Sequence, residues 1–203
     1  MDVLRRQRPV GEQRLHRTAA PSILSLFVED GKGQMDLVAG MTAINVPYDI
    51  PNLRLEGAEV EAHARIGWFR SVSNIPHAFA VQCFVAELAH KAGRDHKQYL
   101  LDLIGPPRKL DPRTLSDNWN YSESPERYPI DTGRMRDVIE AAAKGARWGR
   151  KLPKGHGLGL AVAYSFMSYT ATVVEVTVDA KGELKVVAVD MAIDCGPQIN
   201  PER

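Results

Sequence analysis

The sequence predicts an α+β fold: a mixed or antiparallel sheet covered by several helices. Three observations lead there. Val174, Val176 and Val178 alternate with polar residues before a turn at 179–182, and an apolar strand follows it, the pattern of a β-hairpin. Apolar residues recur at helical spacing within 76–92, 95–104 and 131–147. Strand-like segments flank this helical block. Residues 1–21 read as a basic N-terminal segment and 22–203 as a single domain. That domain is strand-rich over 22–73, helical over 74–150, and a strand hairpin over 151–203.

In order, Ser22-Ile-Leu-Ser-Leu-Phe-Val28 is a short apolar run, and Glu29-Asp-Gly-Lys-Gly33 supplies turn residues. Tyr48 to Ala64 reads as extended, because Pro47 and Pro51 oppose helix. Asn74 is suited to cap a helix with Pro76 in its first turn. Val81, Phe84, Val85, Leu88 and Ala92 form one apolar stripe along it, and Gly93 fits its stop. Asp95 caps a second helix carrying Tyr99, Leu100, Leu103 and Ile104, which Gly105-Pro-Pro107 ends. Residues 108–129 read as an ordered polar loop. Asp131 caps a third helix, with Ile130 and Met135 at hydrophobic-staple spacing. Its buried face is Met135, Val138, Ile139, Ala142, Ala143 and Ala146. In the final hairpin, Leu184, Val186 and Ala188 share one face, with Val187 and Val189 on the other. A second strand apolar on both faces is expected deep in a sheet.

With 203 residues, 44% hydrophobic and 25% charged, the composition is that of a globular protein. The net charge of +1 gives no sign of a nucleic-acid partner. No apolar run reaches the length of a membrane span. Arg5-Arg6 suggests a twin-arginine signal, but no hydrophobic region follows. The compartment stays open between cytoplasm and periplasm. Cys83 and Cys195 have neither zinc-ligand spacing nor a disulfide framework.

Three segments are candidates for chemistry. In Gly67-Trp-Phe-Arg-Ser-Val72, glycine permits close backbone approach and Arg70 suits an anion. Gly155-His-Gly-Leu-Gly159 has glycines at alternate positions but no following helix, and reads as a tight lead into a strand rather than a phosphate cradle. Asp190 and Asp194 lie on one face of a strand about 13 Å apart, too far to share a proton. Asp194 reads as a partner of backbone donors at the strand end. Cys195 reads as a buried structural thiol, since nothing in the sequence places His156 or His77 beside it. His90 and His96 read as solvent-facing, and Trp68, Trp119 and Trp148 as packing anchors.

Tyr48-Asp-Ile-Pro51, Gly67-Trp-Phe-Arg70, Ala78 to Ala89 with Ala92-Gly-Arg-Asp95, Pro129-Ile-Asp131, Trp148 to Gly159, Ser165-Phe-Met-Ser-Tyr169, Val174-Glu-Val176 and Val189 to Pro201 occur in that order. Together they resemble the molybdopterin-binding large (beta) subunit of the isoquinoline 1-oxidoreductase type, in the xanthine dehydrogenase/aldehyde oxidase family. The resemblance covers roughly residues 45–203. It implies a molybdenum hydroxylase that oxidises an aldehyde or N-heterocycle with oxygen from water. It further implies a molybdenum–pterin cofactor, an iron–sulfur small subunit, and further large-subunit domains. Gly67, Phe69 and Arg70 would contact the cofactor.

The chain departs from that pattern in places. Gln82-Cys83 stand where the family has Glu-Ser, Ala86 where it has aspartate, and Tyr164 where it often has histidine. The resemblance places a glycine-rich cofactor segment before this stretch and a catalytic glutamate after Pro201. The expectation is therefore a partial molybdopterin-binding domain without turnover of its own. The alternative is a non-enzymatic binding or assembly module of the same fold, marked by exposed apolar surface and self-association.

Overall fold

The structure, a computed structural model, describes residues 47–52, 70–71, 74–115 and 120–200. Helix α1 spans Asn74–Lys91 and α2 spans His96–Ile104. Strand β1 (Lys109–Leu110) pairs antiparallel with β2 (Ile130–Asp131), and short 3-10 turns, Pro112–Leu115 and Asn120–Ser122, lie between them in sequence. Helix α3 spans Thr132–Gly145. Strands β3 (His156–Ser165), β4 (Ser168–Val178) and β5 (Leu184–Asp194) then form an antiparallel meander in the order β3-β4-β5. The fold is α+β, and the helices start and stop within a few residues of the expected bounds.

Helix α3 follows the sequence closely. The Asp131 carboxylate accepts from the N–H groups of Gly133 and Arg134, two donors the helix cannot satisfy itself. Ile130 and Met135 are both fully buried, as a staple requires. Its apolar face lies on the inner face of the sheet, against Leu160, Val162, Tyr164, Tyr169, Ala171 and Val173. Helix α2 adds Leu100, Leu101 and Ile104 to this core. The Arg136 guanidinium on α3 donates to the carbonyls of Leu101 (2.7 Å) and Gly105 (2.8 Å), closing the C-terminus of α2. Gly105 has φ +76°, and a Cβ there would lie 2.6 Å from the Asp49 carboxylate, so the position requires glycine.

Helix α1 packs with a different face from the expected one. Gln82, Val85 and Ala89 point inward, whereas Phe84 is 61% exposed and Phe79 is 72% exposed. The reason is polar. The Gln82 Oε1 accepts from the backbone N–H of Val162 at the free edge of β3, and this bond fixes the rotation of the helix. Asn74 is the first residue of the helix rather than its cap. It is buried, and its amide donates to the Ser165 hydroxyl at 2.8 Å. Helix α1 thus lies along β3 from one end to the middle.

The second strand of the last hairpin also departs from expectation. The turn itself is as read: Gly182 N–H donates to the Asp179 carbonyl, and the Asp179 carboxylate accepts from Lys181 and Glu183. However, β5 is the outer strand of the sheet among the described residues, not a deep one. A bulge between Glu175 and Val176 pairs Val174 with Val189, Glu175 with Ala188, and Val176 with Val186. The bulge skips Val187, so Val186 joins Val189 on the outer face and Ala188 turns the other way. The outer face then carries Leu184, Val186, Val189, Met191 and Ile193, each more than half exposed. Among the described residues the helices cover only the inner face, which is why apolar residues on both sides of β5 do not both become core.

Candidate functional site

Of the predicted cofactor contacts, Gly67 and Phe69 lie outside the described residues, as do Trp68 and Trp119. Arg70 is exposed, and the next residue, Ser71, has φ 67°, a left-handed conformation uncommon for a residue with a side chain. The Ser71 carbonyl accepts from Asn74 N–H at 2.9 Å, so this turn leads directly into α1. The first turn of α1 contains no acidic residue. An exposed guanidinium beside a helix start free of carboxylates suits an anionic group. Further along α1, the Gln82 Nε2 and the Tyr48 hydroxyl are buried without a completed hydrogen bond. Burial pushes the Tyr48 phenol well up, and the neighbouring Gln82 amide offsets this only partly. Gln82 and Tyr48 carry no carboxylate or thiolate, so they provide no base.

Two ion-pair clusters hold the ends of the sheet. At one end, Arg134 of α3 binds Asp194 of β5 through Nε and Nη2, both at 2.6 Å, while its guanidinium lies 4.6 Å from the Tyr169 ring centroid. The Arg134 hydrogen bonds, offset partly by burial and helped by the Gly196 N–H, hold the Asp194 carboxyl down at about 2. Asp194 therefore does accept a backbone donor, as read, and an arginine besides. Buried Tyr169 accepts from Asp131 N–H at 2.7 Å, and burial pushes its phenol up. At the other end, Glu175 on β4 is only 9% exposed. It accepts from Arg150 at 2.5 Å and meets His156 Nδ1 at 2.8 Å. His156, ahead of Arg150, holds the Glu175 carboxyl below its ordinary value. Gly155 leads the chain into β3 at φ +82°, where a Cβ would sit 2.8 Å from the Val178 carbonyl. The Gly155–Gly159 run is a strand lead, as expected.

Cys195 is exposed rather than buried, because it follows the last residue of β5, beyond the helical cover. His156 pairs with Thr177, whereas Asp194 pairs with Tyr169, eight residues along β4. His156 and Cys195 are therefore separated by roughly 27 Å of strand and form no nucleophile–base pair. Asp190 turns toward α3 near Gly145, not toward a partner carboxylate. His96 corrects another expectation. It is half-buried in edge contact with Trp148 at 6.2 Å, its Nε2 is enclosed without a partner, and desolvation lowers its pKa. Trp148 is a packing anchor whose Nε1 donates to Asp95 at 2.8 Å. Among the described residues no group of three or more His, Cys, Asp or Glu is arranged to hold a metal, and no helix is long and apolar enough to cross a membrane.

The chain's likenesses among known proteins lie with dehydrogenases and support a relationship to the xanthine dehydrogenase type of molybdenum hydroxylase. It is similar to a subunit of the nicotinate dehydrogenase of Pseudomonas putida, 30% identical over 159 residues, which is 77% of this chain and 12% of that protein. It is also similar to the membrane-bound aldehyde dehydrogenase (pyrroloquinoline-quinone) of Gluconacetobacter polyoxogenes, 26% identical over 146 residues, 68% of this chain and 17% of that one. The chain thus spans less than a fifth of the length of either relative. No family model matches the chain.

Proposed function

We propose that the chain is part of the large subunit of a molybdenum hydroxylase of the isoquinoline 1-oxidoreductase type, acting on an aldehyde or an N-heterocycle. The observation that carries this reading is the similarity to the nicotinate dehydrogenase subunit over 77% of the chain. One relative is named for an N-heterocyclic acid and the other for aldehydes, the two substrate classes of the proposal. A partner iron–sulfur subunit and further large-subunit domains agree with a relative named as a subunit.

The bound molybdenum–pterin group would supply electron acceptance and the activation of water for attack on substrate carbon. Gly67, Phe69 and Arg70 would hold it. Arg70 would pair with its phosphate, and the start of α1 would add backbone donors. Neither ion-paired carboxylate of the described sheet is free to act as the base, and Asp190 lies against helix α3 at Gly145. Asp194 is neutralised by Arg134, and Glu175 by Arg150 and His156. We propose accordingly that the chain has no turnover without the rest of the large subunit.

The test is expression in a cofactor-making host, with molybdenum and pterin measured in the purified chain alone and with the iron–sulfur subunit. Dye-linked oxidation of isoquinoline, nicotinate and an aldehyde is then assayed. Cofactor bound by the chain and lost in Arg70→Ala supports the reading. Binding that survives Arg70→Ala removes the assigned contact, and no binding in any combination removes the cofactor role.

One observation favours a second reading, a non-enzymatic assembly module. The outer sheet face and the Phe79–Phe84 side of α1 are exposed and apolar. Sedimentation over a concentration series separates the readings, since a module of this kind self-associates without any cofactor.

A further inference from the structure

A cavity of about 150 Å³ opens where the start of α3 meets the β3–β4 hairpin, away from the sheet's His156 end. Its lining includes Lys109, Arg127, Asp131, Arg134, Tyr164 and Tyr169, with Met167 at the hairpin tip. Three of these side chains are cations and one is a carboxylate. The carboxylate is occupied: Asp131 Oδ1 accepts two helix N–H groups, at 2.9 and 3.2 Å. Arg134 spends Nε and Nη2 on Asp194 and keeps Nη1 free of any bond to that carboxylate. Arg127 stacks on the Tyr128 ring at 5.1 Å, and neither Arg127 nor Lys109 has a carboxylate partner among the described residues. The Tyr169 hydroxyl accepts from Asp131 N–H, so its own proton points elsewhere. Asp194 answers Arg134 and Asp131 keeps its charge, so the unanswered donors of the cavity are Lys109 and Arg127, at its exposed rim, and the Tyr169 hydroxyl.

The backbone beside it is held in an unusual state. Phe166 and Met167 form the two-residue tip between Ser165 and Ser168 with φ 48° and 61°. Such turns favour Asn-Gly, because a side chain in the left-handed region costs roughly 1 kcal/mol or more. This geometry brings the Met167 sulfur to 3.1 Å from the Tyr164 hydroxyl and seats the thioether in the cavity wall. One side of the cavity is thus apolar and the other cationic.

We infer that this cavity is a binding site for a small oxyanion, a carboxylate or phosphate group, received by Lys109, Arg127 and the Tyr169 hydroxyl. Its size admits a headgroup and not a nucleotide. Arg70 does not line the cavity, so variants of Lys109 and Arg127 test this site independently of the Arg70 assignment.

The experiment is a chemical-shift titration of the labelled chain with inorganic phosphate, and separately with benzoate. Saturable shifts at Tyr169 and the Arg127 side chain are expected with a dissociation constant of about 1 mM or tighter, weakening as salt is raised. Saturation by phosphate alone identifies a phosphate group, and saturation by benzoate alone a carboxylate. The Lys109→Ala/Arg127→Ala double variant loses no ion pair of Lys109 or Arg127 to a described carboxylate, so it keeps its fold, and its binding should fall at least about tenfold. Lys181→Ala, on the distant β4–β5 turn, should bind as the parent does. The inference is overturned if neither anion saturates below about 10 mM. It is equally overturned if the double variant binds unchanged, or if Lys181→Ala loses as much, since the effect would then be general charge.

Discussion

Asp194→Asn tests how α3 is tied to the end of the sheet. The Arg134–Asp194 bridge is bidentate, and it holds the carboxyl at about 2 against an ordinary 3.8. At about 1.4 kcal/mol per unit, that shift sets an upper bound of roughly 2.4 kcal/mol. Both side chains are 35% exposed, so solvent screening reduces the figure to about 1 kcal/mol. Asparagine keeps an acceptor for Gly196 N–H, and the change isolates the charge. Because the folded value is depressed, the stabilisation is present above the unfolded value and lost as pH falls through the folded one. Urea unfolding should therefore show the variant about 1 kcal/mol less stable at pH 7, with the gap about halved by pH 3. An equal gap at pH 7 and pH 2, or none at pH 7, would show that the pair contributes through packing or not at all.

The remaining predictions concern the core, a turn and a buried acid. Ile139→Ala, fully buried under the sheet, should cost about 3 kcal/mol, whereas Ile193→Ala on the uncovered outer face should cost less than about 0.5 kcal/mol. Chemical denaturation of the two variants compares the faces directly, and equal losses would mean that the outer face is covered. Phe166→Asn, at an exposed position with φ 48°, should stabilise the hairpin by about 0.5–1 kcal/mol. A lower melting temperature would show that the Phe166 contact with Tyr121, at 4.5 Å, outweighs the strain. Glu175→Gln should lower the melting temperature at neutral pH, because Arg150 and His156 lose their carboxylate. Acidification should narrow that gap as Glu175 itself protonates in the parent, and calorimetry across pH follows it.

Where the sequence was legible, the local signal and the tertiary contact agreed. Asp131 caps α3 with Ile130 and Met135 stapled around it, and every residue expected on its inner face is buried. The Asp179–Gly182 turn also carried over, whereas the alternation through Val174, Val176 and Val178 marked the strand but not its faces, since Glu175 is buried and Val178 is exposed. Helix α1 was not legible in the same way. Its apolar residues surround much of the helix, and a buried glutamine bonded 80 residues away decides which side turns in. No hydrophobic period reports such a bond. Strand β5 failed for a related reason. Its residues are apolar on both sides, which reads as buried, but the number of layers over a sheet is not written in one strand. The skipped Val187 then exchanged faces that simple alternation had assigned. The site was legible only in part. Arg70 lies at an exposed turn before α1, but the Arg134–Asp194 and Arg150–Glu175 pairs join residues 60 and 25 apart, for which charge alone gives no pairing. The exposure of Cys195 follows from the reach of the helical layer rather than from its neighbours.

The bond from Val162 to Gln82 gives the sheet a direction. On the β3 side, Gln82 and Asn74 take up groups at Val162 and Ser165, so a further strand would first have to displace helix α1. On the β5 side, the described residues place no helix across the edge. A strand added to this sheet, by another part of the polypeptide or by another molecule, thus meets helix α1 along the Val162–Ser165 half of β3 and no such helix at β5, whose edge is bent by the extra residue at Val187.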